Sequence, residues 1–229
     1  MVIAGKIFKL RETIPLRVIA TKLLDYRVEE SVEEDSQKFT LFTEIVNLDL
    51  AGNKLRGLYS KDIVIRISRR GERIPVIKTL EAPFTFTLKE NEILLTIIGK
   101  KNWANYVANE LSKIIFITIG GIVEAKITPE TLRLYHEANP EGTKVIFFDN
   151  VDIPNIDKLS LYGSDLRNTM LYSEYLSHGN IWYIVATSKK HGYIVGITRN
   201  CVVTVFSRID EYTFFNFVEE EIFPLIEKS

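Results

Sequence analysis

The short connections decide what the first half of this chain can become. From Gly5 to Ile98, segments with strand character follow one another: "GKIFKL", "LRVIATKLLDYRVE", "KFTLFTEIVNLDL", "LRGLYSKDIVIRIS", "IPVIKTL", "FTFTL" and "ILLTII". A crossover between parallel strands needs about a dozen residues or more, so these connections admit only antiparallel neighbours. Apolar alternation is plain in Phe39 and Leu41 and in Ile63, Ile65 and Ile67, while "AGN" (residues 51–53) and "RRGE" (residues 69–72) supply turn residues. The acidic stretch "VEESVEEDS" (residues 28–36) reads as a solvated loop or a strand end running into one.

A helix should close this sheet. In "NWANYVANELSKII" Asn102 can cap the first turn, and Trp103, Val107, Leu111 and Ile114 recur at helical spacing. Near the C-terminus "TFFNFVEEEIFPLI" repeats the pattern at one constant offset, with Thr213 at the cap and Phe214, Val218, Ile222 and Leu225 at the matching apolar places. Each segment follows a hairpin, "FTFTLKENEILLTI" in one case and "YIVGITRNCVVTVF" in the other. Either a duplication or a common strand-to-helix junction explains the match, and both imply two sheet-plus-helix units.

Between them, Thr128, Pro129 and Glu130 form a strong helix start, "KVIFF" a buried strand, and "SDLRNTMLYSEYLSHG" a helix capped by Ser164 and ended at Gly179. Three consecutive strands then lead to the last helix. The expected fold is therefore α+β. Residues 1–116 form an antiparallel, barrel-like β unit closed by one C-terminal helix. Residues 117–229 form a second unit of order β-α-β-α-β-β-β-α with a three-stranded antiparallel meander. The first unit's order, strands and then a helix opening on Trp103, is similar to that of pleckstrin-homology-like domains. Three consecutive strands between helices resemble profilin-like modules such as the roadblock and longin domains. Those resemblances are topological and imply scaffolds that bind proteins, peptides or anionic headgroups.

Charge and composition narrow the partners. A net charge of -1 over 229 residues removes the global basic field that steers most nucleic-acid-binding domains. The single cysteine, Cys201, cannot form an internal disulfide or a multi-cysteine zinc site, which fits a reducing, cytoplasmic setting. No signal-peptide core is expected in "MVIAGKIFKLRE", and the most apolar run, "IIFITIGGIV", is about half the length of a membrane span, so no membrane insertion is expected. One glutamine, two methionines and abundant isoleucine, lysine and glutamate lean towards a thermophile.

Catalytic patterns are sparse. Asp149 and Asp152 follow a buried strand, where acids can hold Mg²⁺ as in a metal-dependent hydrolase. The haloacid-dehalogenase pattern, however, requires a second acid where this chain has Val151, and Asp, Asn and Pro are ordinary turn formers. His136, His178 and His191 lie far apart, Ser164 lacks a nucleophile elbow, and no phosphate-binding glycine loop occurs. No cofactor or metal is expected, and the balance leans away from an enzyme. The remaining functional signal is basic. Arg66, Arg69, Arg70 and Arg73 cluster about the "SRRGER" hairpin, and "SKKHG" adds Lys189 and Lys190, a set able to bind phosphate groups of nucleic acid or lipid. The acidic run from Glu29 to Asp35 can neutralise these arginines or pair with them in a neighbouring chain. The leading expectation is a non-catalytic protein-interaction or assembly module that associates with itself or a partner, with weak polyphosphate binding as the alternative.

Overall fold

The computed structural model describes residues 2–138 and 142–228. Among these residues lie twelve strands, paired antiparallel, and five α-helices. The chain divides into two compact units: Lys9–Val123, and Met1–Phe8 together with Glu124–Ser229. The first strand, β1 (Ile3–Leu10), thus begins in the same unit as the C-terminal elements.

In the unit Lys9–Val123 the strands run in sequence order: β2 (Arg27–Glu34), β3 (Gln37–Ala51), β4 (Lys54–Arg69), β5 (Glu72–Lys89) and β6 (Glu92–Ile98). The expected barrel-like closure does not occur, and the run is open. Closure would set β2 against β6. Yet β2 reads RVEESVEE and has no buried residue, whereas five of the seven β6 residues are buried. A charged end strand of this kind resists pairing along its edge. The acidic stretch, expected as a loop or as a strand end running into one, is strand β2 running into the β2–β3 turn, whose residues Asp35 and Ser36 both have positive φ. Arg70 and Gly71 do the same between β4 and β5, the backbone handedness that lets a two-residue turn match strand twist.

Two helices accompany these strands. Residues expected to be extended form α1 (Leu16–Leu23), in which Leu16, Ile19 and Leu23 are buried at helical spacing while Val18 is exposed. The β-branched Val-Ile pair resembles a strand, but the burial follows the helical period. Helix α2 (Lys101–Phe116) buries Ala104, Val107, Ala108, Leu111 and Ile115. It starts one residue before Asn102, with Lys100 at the cap position and no side-chain cap, because the turn after β6 passes directly into the helix.

In the other unit the order is β1, β12 (Val202–Val205), β11 (Ile194–Thr198), β10 (Asn180–Thr187), β8 (Thr143–Asp149) and β9 (Leu159–Tyr162), with the short β7 (Ile122–Glu124) at the junction of the units. Strands β10, β11 and β12 form an antiparallel meander, in register from Tyr183↔Thr198 and from Val195↔Val205. Helix α3 (Pro129–Glu137) starts as its sequence implies, with Thr128 Oγ1 accepting the Thr131 N–H at 3.0 Å. Helix α4 (Met170–His178) is capped by Thr169 and not Ser164, because a 3-10 turn over Leu166–Asn168 intervenes. Helix α5 (Glu211–Phe217) is capped by Asp210 and not Thr213. The Thr213 N–H donates to Asp210, whose carboxyl it holds below the usual range. No helix among the described residues is long and apolar enough to cross a membrane.

The matched aromatics differ in surroundings. Phe214 is fully buried, whereas Trp103 is partly exposed and donates its indole N–H to the Glu81 carbonyl at 3.0 Å. The last helix also departs from α2 by passing into a π turn at Val218–Ile222 and a 3-10 turn at Phe223–Leu225. Phe214→Ala is expected to cost about 3–5 kcal/mol in urea unfolding and Trp103→Ala clearly less, because cavity cost scales with what is enclosed. Equal losses would contradict the difference in burial.

Candidate functional site

The base of the β4–β5 hairpin is firmly held. Tyr59 of β4 is fully buried, edge-on to Trp103 at 6.0 Å and to Tyr106 at 6.4 Å, and those two rings stack on each other at 5.3 Å. Burial pushes the Tyr59 hydroxyl pKa up, so it stays a neutral group. Lys61 donates to the Tyr106 hydroxyl, with its ammonium 4.7 Å from that ring's centre. The aromatic body and the cation each gain from this contact.

Beyond that base, β4 loses a neighbour. The β3–β4 register ends at Thr43↔Lys61, while β4 and β5 stay paired from Lys54↔Thr87 to Arg69↔Glu72. Strand β6 reaches β5 only from Phe84 onward. Asp62 marks the parting. One of its oxygens accepts the Phe42 N–H at 3.1 Å, in place of the next ladder bond, and the other accepts the Thr79 hydroxyl at 2.7 Å. From here residues 62–69 and 72–79 form a two-stranded ribbon, and residues 27–34 and 37–42 form a second one.

The first ribbon is apolar on both faces. Cross-strand partners Ile65↔Val76 and Ile67↔Ile74 share one face, and Val64↔Ile77 lies on the other. Ile67 is 42% exposed and Ile77 44%. Only Pro75 of its β5 strand is buried between residues 72 and 81. Two-stranded hairpins are marginal in water by themselves, so such residues represent surface whose burial would be favourable.

The structure separates the basic residues singled out in the sequence. Arg66, exposed and on the face that also carries Val64 and Ile77, pairs with Glu34 at 2.6 Å and lies 3.5 Å from Asp35, which ties the two ribbons together. Arg69, Arg70 and Arg73 are exposed at the ribbon's end and have no carboxylate partner among the described residues. Lys189 and Lys190 belong to the other unit. Lys189 donates to the Ala138 carbonyl and Lys190 pairs with Glu220. Asp62, the residue that creates the fork, was not singled out from the sequence. Its signal there is a lone acid between Lys61 and the apolar run that begins at Ile63.

Asp149 and Asp152 take different partners. Asp149 Oδ2 accepts from Arg199, its Oδ1 is buried with no hydrogen-bond partner among the described residues, and Asp152 accepts from His178 Nδ1 at 2.7 Å. Among the described residues no three His, Cys, Asp or Glu side chains gather as a metal-binding group. Cys201 is buried in the turn between β11 and β12. His136 is buried, with Nδ1 2.8 Å from Thr143 Oγ1, and burial lowers its pKa from 6.5 to about 4. Compared with known proteins, the chain matches no family model and no curated protein.

Two outcomes follow for these side chains. Asp149→Asn should cost about 1–3 kcal/mol in urea unfolding, the range for losing a charged hydrogen-bond acceptor, with or without Mg²⁺. A Mg²⁺-dependent rise in Tm that the variant loses would make Asp149 a metal ligand. For His136 the unfolded chain takes up a proton below about pH 6.5 and the folded chain only below about pH 4. This group therefore lowers stability as pH falls through that window, by about 3 kcal/mol in total, and adds no pH dependence above it. In NMR the His136 ring should remain neutral at pH 5.5, and a midpoint near 6.5 would contradict its burial.

Proposed function

We propose that this chain is a non-catalytic protein-interaction or assembly module and that the ribbon beyond Asp62 is its docking element. The observation that supports this reading best is the pairing pattern: β4 and β5 continue past the sheet with half-exposed isoleucines on both faces. Extending eight residue pairs of ordered backbone beyond a third strand is costly in conformational entropy, and a partner that covers those side chains offsets it. The local ties of Asp149, Asp152, Lys189 and Lys190 agree with structural duties for these residues.

Polyphosphate binding is the second reading, favoured by Arg69, Arg70 and Arg73, which have no carboxylate partner among the described residues. About three neutralised phosphates give weak, salt-limited binding, because affinity falls with salt in proportion to the contacts made.

Ribbon removal tests the first reading. Replacing residues 63–78 by Asn-Gly joins the cross-strand partners Asp62 and Thr79 through a two-residue turn. The shortened chain should unfold cooperatively and migrate as a monomer, lighter than the 26.3 kDa of one intact chain, in extracts of its own cells, while the intact chain migrates in a larger assembly. Equal sizes for the two would remove the ribbon from any docking role.

A further inference from the structure

The ribbon unit carries two separated sets of opposite charge. Glu29 and Glu33 on one face of β2, the end strand of the run, and Glu30 on the other have no cationic partner among the described residues. Arg69, Arg70 and Arg73 surround the β4–β5 turn, equally without a carboxylate partner. The ion pair within the chain spends only Glu34 and Asp35 on Arg66. Each set has an exposed apolar neighbour, Val28 at 45% on β2 and Ile67 at 42% near the arginines. One chain therefore presents both halves of a contact it does not make with itself.

From this complementarity we infer that the occupant of the ribbon is a second copy of this chain, in a two-fold pair. The arginine tip of each copy lies against the glutamates of β2 in the other, and the isoleucines of the ribbon are covered by the same contact. A two-fold axis makes such a contact reciprocal: tip meets β2 twice, and no unpaired set is left over. Side chains and not strand edges make the contact, since β2 bears a charge at most positions and Pro75 removes a donor from the β5 edge. Exposed charge pairs are screened by salt while the isoleucine contact is not, so dimerisation weakens with salt without vanishing. This inference rests on the proposed docking role of the ribbon and names its partner.

A charge swap on the full purified chain tests it. One variant carries Arg69→Glu, Arg70→Glu and Arg73→Glu; the other carries Glu29→Lys, Glu30→Lys and Glu33→Lys. Circular dichroism establishes that each is folded, as substitutions at exposed positions should allow. In sedimentation velocity the natural chain should dimerise, and each variant alone should dimerise at least about tenfold more weakly, because like charges then face each other. An equimolar mixture of the two variants should regain dimers to within about threefold of the natural chain, since one contact is then the natural arginine–glutamate pair and the other its reversed, again complementary, counterpart. A natural chain that stays monomeric, a mixture no better than its components, or arginine reversal that leaves dimerisation unchanged while abolishing binding to single-stranded RNA would each overturn the inference. If the purified chain is monomeric yet the intact chain still forms a ribbon-dependent assembly in extracts, the second copy is wrong and the docking role stands.

Discussion

Asp62 holds the place where one antiparallel sheet becomes two ribbons. Up to Lys61 the strand β4 is paired on both sides; at the next residue its carboxylate takes the Phe42 N–H that a third strand's backbone would have taken. A buried or half-buried N–H without an acceptor is costly, so this single side chain lets β3 turn away without leaving an orphan donor. The second oxygen grips Thr79 across the ribbon and fixes the same point on β5. The proposed function depends on the fork: the isoleucines beyond it are half-exposed where β3 no longer flanks β4, and among the described residues the β2–β3 turn pairs with Arg66 and not with Arg69, Arg70 or Arg73.

Much of the fold was legible as connection length and periodicity. Short turns required antiparallel pairing, and the meander from Asn180 to Val205 and the Thr128–Pro129 helix start follow from local chemistry that no distant contact overrides. The misreadings have local causes. In α1 the β-branched Val18 and Ile19 masked a three- and seven-residue spacing of buried leucine and isoleucine. The helix starts shifted for separate reasons: the turn after β6 runs straight into α2 ahead of Asn102, a 3-10 turn separates Ser164 from α4, and the Asp210 carboxylate caps α5 ahead of Thr213. Barrel closure failed on a residue count that sequence does show, the five charges in the eight residues of β2, but whose consequence depends on which strand lies opposite.

The functional surface was legible in composition and not in arrangement. Arg69, Arg70 and Arg73 could be grouped from the "SRRGER" turn because two-residue hairpins keep their flanks together. That Arg66 is spent on Glu34, and Lys190 on Glu220, depends on pairs 32 and 30 positions apart that only the folded chain brings together. The exposure of Ile67 and Ile77 was hidden for a similar reason. Alternating isoleucines signal a strand, but whether the strand lies inside a sheet or extends past it is decided by where β3 turns away from β4, at Thr43.

The most direct measurement is hydrogen exchange of the ribbon amides, read by mass spectrometry on dilute and concentrated samples of the intact chain. Amides in a two-stranded ribbon open easily, so residues 63–78 should exchange quickly when dilute and slow markedly when concentrated, while α2 and β6 stay protected at both concentrations. Exchange of residues 63–78 that is the same at both concentrations would mean that no second copy covers the ribbon.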